Sequence, residues 1–416
     1  MQRLTAGTLP LRAFAAAAML IVLTSNSTAT SALFVPYRSA WGLSAADIGL
    51  AFAVYVGSLI PVLLLFGGFA ERFGRRAVVA TGLAFMLAGT ALLLGAHGLA
   101  VLLAARLVQG IGAAFAVGAI SATFTEHWRG PIPAGQALTV ATALALAFGP
   151  VLTAIAYDLG GGTNASYLPI FALGLAAVVL LPAFAGRRLA TGRNGDAPAE
   201  AVLPADVVWW GLRFAMAAIF VAWAGTALYL SLVPAYLASA LHAVNPLVGA
   251  LAFLGLEIAT VGASIALSKL SPHAGGIWGP VATVVGLALL VAGTSANAWS
   301  LIIVATIVVG GAVGVASGAA YAVVARVGSG QRARVFSRLL IVAYAGYSLP
   351  ALLTGIVAAR TSFDVGFIVV TATLGLVAAA TPFLRERSLE EHLCHHALVL
   401  VTEDVAMEYR QATNVC

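Results

Sequence analysis

Gly67-Gly68-Phe69-Ala70-Glu71-Arg72-Phe73-Gly74-Arg75-Arg76 is the stretch on which the reading of this chain turns. It is a short loop between two long apolar runs, at 47–69 and 77–96. It holds one acid, three arginines and a turn glycine. Gly74 permits a tight reversal, because a residue without Cβ reaches backbone conformations closed to others. The arginines hold the loop on one side of a bilayer. Glu71 can pair with an arginine or face a helix N-terminus, where negative charge is favoured.

The composition agrees with a bilayer setting. Of the 416 residues, 61% are hydrophobic and 9% charged, against roughly 25% charged in ordinary soluble domains. The mean hydropathy is +1.02. No water-soluble chain of this size could hide so much apolar surface. A soluble enzyme, a disordered protein and a nucleic-acid binder are excluded. Cys394 and Cys416 both lie in the last stretch, so no disulfide framework is implied. Many of the 44 glycines fall inside apolar runs, where small residues let helices approach closely.

Outward from the loop, twelve runs come near the ~20 residues that a spanning helix requires. They are 12–35, 47–69, 77–96, 99–124, 134–157, 166–185, 209–235, 246–267, 277–296, 299–325, 336–358 and 364–384. The alternation of a β-barrel is absent. The first run has a second reading as a cleaved signal: Arg3 and Arg12 precede the apolar 13–23, and small residues follow at 27–32. Its apolar character continues through Leu33-Phe34-Val35, and cleavage would leave an odd number of spans, so it is read as a span.

With the N-terminus inside, seventeen of the 21 lysines and arginines fall on inner segments, from Arg3 to Arg410 and including Lys269. Arg38 and Arg360 fall outside, and Arg106 and Arg213 lie within runs. This bias predicts that both termini are cytoplasmic. The polar stretch 186–208 reads as a linker between six-helix halves, 1–185 and 209–384, with a tail at 385–416. The halves repeat at an offset near 200: Pro150 matches Pro350, Gly110 matches Gly310 and Gly118 matches Gly318. Leu-Phe-Val-Pro-Tyr at 33–37 echoes Ser-Leu-Val-Pro-Ala-Tyr at 231–236. Parallel repeats of this kind build proteins with a binding site at their interface.

Two intramembrane charges stand out. Arg106 lies in Leu102-Leu103-Ala104-Ala105-Arg106-Leu107-Val108-Gln109-Gly110, with Gln109 one turn away on the same face. A charge at that depth needs a polar cavity or a partner; the plainer reading is an arginine tied to backbone carbonyls. Glu257 is the acid deep inside a run, in span 8. A carboxyl there is costly to ionise and can exchange a proton; the plainer reading is a protonated structural group. Span 1 carries Thr24-Ser25-Asn26-Ser27-Thr28, span 7 has Trp223, Thr226 and Tyr229, and span 11 has Tyr344, Tyr347 and Ser348. Asn26, Gln109, Trp223, Tyr229, Tyr344 and Tyr347 are the expected cavity residues. Gly149-Pro150 predicts a kink in span 5. His392, Cys394, His395 and His396 are metal-ligating types, but their spacing fits no established site, and no metal is expected.

The loop at Gly67–Arg76 resembles the first motif of the major facilitator superfamily, G-x-x-x-D/E-R-x-G-R/K-R/K, over its whole length. Leu102 to Ala114 is similar to the second, L-x-x-x-R-x-x-Q-G-x-G-x-A. The resemblance implies an all-α fold of twelve transmembrane helices in two six-helix bundles. It implies that Gly67, Glu71, Arg72, Gly74, Arg75 and Arg76 form a conformational latch. Glu71 would meet the start of span 11, and Arg72 or Arg75 the end of span 4, where Glu126 is the available acid. It adds a proton-coupling role for Arg106. Span 5 departs from the glycine pattern of the drug-antiporter branch: Thr153, Ala154, Gln136 and Ala145 stand at its glycine positions, with Gly135 beside one of them.

There is no P-loop, nucleophile elbow, zinc-protease pair or channel filter, so neither an ATP engine nor an enzyme is expected. The expectation is a secondary transporter, without cofactor, exporting small apolar or amphipathic molecules in exchange for protons. The alternatives are an uptake symporter with Arg106 as partner of an organic anion, and a non-transporting scaffold or sensor. The expected setting is a bacterial cytoplasmic membrane. The partners are substrate, protons and lipid, with no nucleic acid, and the protein is expected as a monomer.

Overall fold

The computed structural model describes residues 8–66, 69–132, 134–184, 205–268, 270–325 and 329–384. All regular structure among them is helical. Eleven helices are long and apolar enough to cross a bilayer, from Leu11–Trp41 to Phe363–Leu384. The sixth run, expected as an ordinary helix over 166–185, is α-helical over Leu168–Ala176 and then tightens to a 3-10 helix over Ala177–Phe184, which contains Pro182. Its reach survives. Nine residues at about 1.5 Å and eight at about 2.0 Å of rise span roughly 30 Å, the hydrocarbon thickness. The chain is therefore a multi-pass membrane protein with twelve spans.

Spans 1 and 7 run further than the apolar pattern indicated. Span 1 passes from Thr8–Thr28 through a 3-10 turn at Ala29–Leu33 into Phe34–Trp41. Span 7 passes from Ala205–Ser231 into Val233–Leu241. The two restarts fall on the repeated Leu-Val-Pro and Leu-Phe-Val-Pro segments. Pro36 and Pro234 lie in the first turn of the restarted helices, where a missing N–H leaves no bond unmade. Span 11 likewise begins before the expected 336 and runs over Ser329–Arg360.

The same contacts recur in the two halves. Gly110 of span 4 (Leu99–His127) lies against the Tyr55 carbonyl of span 2 (Ala45–Phe66), where a Cβ would collide. Gly310 of span 10 (Trp299–Ala325) lies in the same way against the Leu256 carbonyl of span 8 (Pro246–Ala266). Small residues thus set the helix separation where hydrophobic attraction between helices is absent. Pro150 and Pro350 both sit inside unbroken helices, Ala134–Ala156 and Ser329–Arg360. Gly118 and Gly318 have open space beside them.

Spans 1 and 7 are the most enclosed, with 72% and 78% of their apolar windows buried, against 28–50% for the other candidate spans. They form the centre, and the remaining spans surround them. The halves close on each other at the end opposite the arginine loop. There Asn245 donates to the Asp158 carboxylate at 3.1 Å. Arg38 lies 5.0 Å over the Phe363 ring, and Ala32, Ala154 and Ala250 pack together from spans 1, 5 and 8. The linker up to Pro204 and the tail 385–416, with its histidines and cysteines, lie outside the described residues.

Candidate functional site

Arg106 enters the protein on span 4 and is 2% exposed. Its Nη1 donates to the Ser27 carbonyl at 2.6 Å and to Gln109 Oε1 at 2.9 Å, and its Nε to the Ala51 carbonyl at 3.4 Å. The guanidinium lies 4.3 Å over the Tyr55 ring. Gln109 Nε2 donates to the Asn26 carbonyl at 3.2 Å and to Thr90 Oγ1 at 3.3 Å. Thr90 donates to Asn26 Oδ1 at 3.0 Å, and Asn26 donates to the carbonyls of Val22 and Ile170. This chain of bonds ties spans 1, 2, 3, 4 and 6 together. A buried polar network with its members satisfied rigidifies the unit it crosses.

Glu257 has the opposite character. It is 4% exposed, and its Oε1 has no hydrogen-bond partner. It forms no ion pair among the described residues, and Arg106 and Glu257 do not meet. Its direction follows from helix geometry. Ala250 and Glu257 are seven residues apart, so they share a face to within about 20° and lie about 10 Å apart along the axis. Ala250 touches Ala32 and Ala154 of the other half. Ile258, the next residue, is exposed. Glu257 therefore faces the opposite half, two turns inward from the closed seam.

An aromatic group joins the two halves, from span 2 to spans 7 and 11. Tyr347 of span 11 is 4.9 Å from Phe52 of span 2 and 5.7 Å from Trp223 of span 7. Trp223 stands edge-on to Tyr344 at 5.3 Å. Trp223 is half-buried.

Three of the six expected cavity residues, Trp223, Tyr344 and Tyr347, are thus brought together. Asn26, Gln109 and Tyr229 are not. Each is at most 1% exposed and is bonded inside one half, Tyr229 to Thr306 of span 10 at 3.2 Å. A polar group in an apolar run finds its partner on the nearest helix before it reaches an open space.

At the arginine loop, Phe69–Phe73 is a short helix, and Gly74 has φ +88°, in the left-handed half of conformational space. Arg75 makes a two-pronged pair with Glu126 at the end of span 4, Nη1 to Oε2 at 2.5 Å and Nη2 to Oε1 at 2.6 Å. Arg72 turns instead over Phe73, and Arg76 is exposed. Gly67 and the Glu71 side chain lie outside the described residues, so a contact with the start of span 11 does too. Gly149 packs on the Ser25 carbonyl, and the Ser25 hydroxyl donates to the Ala145 carbonyl at 2.9 Å, just before Pro150. The expected kink is not a break, since the helix runs through Gly149 and Pro150.

Sequence reasoning missed the tyrosines. Tyr37 donates to Tyr167 at 2.9 Å, joining spans 1 and 6. Tyr236 is joined to Asp364 and to Thr294, linking spans 7, 9 and 12. The signal was available: a tyrosine closes each of the two repeated segments, Tyr37 one residue after Pro36 and Tyr236 two residues after Pro234. Tyr55 beneath Arg106 gave no comparable signal. Among the described residues no group of three or more His, Cys, Asp or Glu could hold a metal.

The sequence pattern of the Major Facilitator Superfamily matches residues 15–293. Among solved structures, the chain is similar to a bacterial homolog to the human lysosomal transporter Spinster in an inward-facing, unoccupied conformation. The TM-score is 0.73 at 16% identity, over 93% of this chain and 98% of that one. The occupied inward-facing form of that homolog gives 0.67 at 14%, over 89% and 96%. The nucleoside transporter NupG gives 0.69 at 14%, over 90% and 99%. At such identities the likeness is one of fold. No curated protein matches the sequence.

Proposed function

This chain belongs to the major facilitator superfamily, and from that premise we propose that it exports small apolar or amphipathic molecules in exchange for protons by alternating access. The observation that carries the reading is Glu257, an enclosed acid whose Oε1 has no hydrogen-bond partner, seven residues along span 8 from Ala250 at the seam between the halves. Protonation changes the charge of the interface between the halves. A ligand or proton that binds one access state better shifts the balance between states.

The arginine-rich end faces the cytoplasm of a bacterial cell, with both termini on that side, and the protein works as a monomer. Loop residues Glu71 and Arg72 act on switching, away from the mid-membrane level where transporter sites form. Uptake of an organic anion on Arg106 has less support, because the guanidinium already donates to Ser27, Ala51 and Gln109.

The test is a substrate panel in proteoliposomes under an imposed pH gradient. Export predicts accumulation that depends on the gradient and runs counter to proton flow. Accumulation in the direction of proton flow would instead make the protein a symporter.

A further inference from the structure

We propose that the outer tip of span 5 is a strap hinged at Gly160-Gly161-Gly162. Tied to span 8, it stays with the opposite half while the rest of its own half swings away. The proposal rests on the alternating-access reading above and concerns which part of the seam moves.

The order of ties along the chain leads to it. Span 5 (Ala134–Ala156) ends in a π-turn over Tyr157–Gly161. Before the glycines the ties run to the opposite half. Asp158 accepts the hydrogen bond of Asn245, the residue that caps the N-terminus of span 8, at 3.1 Å. A carboxylate at a helix N-terminus is also favoured by the helix dipole. One turn earlier Ala154 packs on Ala250 of span 8, beside Ala32 of span 1. After the glycines the chain is fastened to its own half. Asn164 donates to the Leu94 and Ala96 carbonyls at the end of span 3, at 2.9 Å each. Tyr167 accepts from Tyr37 of span 1 at 2.9 Å.

The glycines between these ties have the conformations of a joint. Gly160 has φ +93°, and Gly162 has φ +59° with ψ −169°, a region nearly closed to other residues. Nothing lies within 4 Å of where a Cβ would stand on either, so backbone freedom and not close approach calls for glycine there. Lower in span 5, Gly149 packs on the Ser25 carbonyl, and Pro150 leaves one helix bond unmade. The stretch 150–159 therefore has a joint at each end.

The matching corner of the other half is built the opposite way. Span 11 has its Pro350 too, but only Thr361 and Ser362 separate it from span 12, with no glycine between. Thr361 donates back to the Val357 carbonyl at 2.8 Å, and Ser362 caps span 12 by accepting from the Val365 N–H at 3.3 Å. Asp364 is joined to Tyr236 of span 7. Span 11 meets span 2 through Gly355 on the Ala45 carbonyl. One side of the seam thus closes on a stiff corner and the other on a jointed one. As the halves part, span 1 withdraws Ala32 from Ala250, and the strap remains across the gap.

Spin-label pairs on the full chain, with Cys394 and Cys416 replaced by Ser and in lipid nanodiscs, test this without substrate or gradient. Leu159 with Val244 follows the tip against span 8, and Leu159 with His97 follows it against its own half. Ala165 with His97 reports beyond the hinge, and Ala40 with Thr361 reports the stiff side of the seam. All six labelled residues are exposed. Distances are read by electron paramagnetic resonance at acid and alkaline pH, and in Gly355→Val, which wedges spans 2 and 11 apart. Ala40–Thr361 should widen by about 5 Å or more, the scale of such rearrangements. Leu159–His97 should change with it, while Leu159–Val244 and Ala165–His97 stay fixed. Widening of Leu159–Val244 at constant Leu159–His97 means that the half moves as one body and overturns the proposal. A seam that widens nowhere overturns it as well. Should Gly355→Val fail to fold, the two pH arms decide alone. None of these distances bears on export against uptake or on proton coupling, so the strap and the export reading fail separately.

Discussion

Gly49 of span 2 stands against Ala351 of span 11 with no room for a side chain between them: a Cβ on Gly49 would lie 2.9 Å from the Ala351 carbonyl oxygen and 3.1 Å from the Leu352 Cα. Gly355 of span 11 returns the contact, pressed on the Ala45 carbonyl of span 2. The halves thus touch backbone to backbone at the end opposite the arginine loop. Gly49→Val and Gly355→Val should each hold that end apart. In a background with Cys394 and Cys416 replaced by Ser, a cysteine at Ala250 should label several-fold faster with an impermeant maleimide from that end. Unchanged labelling in both variants would show that the seam does not gate access.

Arg75 and Glu126 form a well-oriented pair, but Glu126 is 43% exposed. Exposed pairs contribute at most about 1 kcal/mol to stability. Glu126→Gln should therefore barely move the thermal midpoint, while turnover falls and apparent substrate affinity is kept. A large loss of affinity with normal exchange would place this pair in binding rather than switching.

Arg106 and Glu257 should respond oppositely to neutralisation. Arg106→Gln removes a donor from three acceptors and should destabilise the protein by about 2 kcal/mol or more, read as a fall in the thermal midpoint. Glu257→Gln removes an uncompensated acid while keeping its shape, and should leave the midpoint unchanged or raised. A strongly destabilised Glu257→Gln would make the carboxyl structural.

Reporter fusions at Arg193 and within the tail should both read cytoplasmic, following the distribution of arginine and lysine along the chain. An outside signal from either would contradict the twelve-span topology.

The twelve spans and the two-fold repeat were legible because both rest on simple periodicities: the length of apolar runs, and glycines and prolines recurring near an offset of 200. Gly110 and Gly310 were matched as letters and make matching contacts. The extents of spans 1 and 7 were less legible, since a 3-10 turn and a proline restart leave the apolar pattern unbroken. In the site, Arg106 and Glu257 announced themselves as charges in apolar runs. Their difference did not, because a guanidinium satisfied by Ser27 and Ala51 depends on backbone carbonyls, which every residue carries. The separation of Asn26 and Gln109 from Trp223 and Tyr347 was hidden for the same reason: helix composition does not say which face meets which neighbour. The seam glycines Gly49 and Gly355 are not repeat mates, and only the packed halves bring them together.

The central claim is that Glu257 carries the coupling proton, and Glu257→Gln in proteoliposomes tests it most directly. The variant keeps hydrogen-bonding capacity and loses titration. Accumulation driven by a pH gradient should disappear, while energy-independent exchange of substrate across the membrane persists. Uphill transport with normal pH dependence in the variant would contradict the claim and return the search for coupling to Arg106 or to the ionisation of the substrate itself.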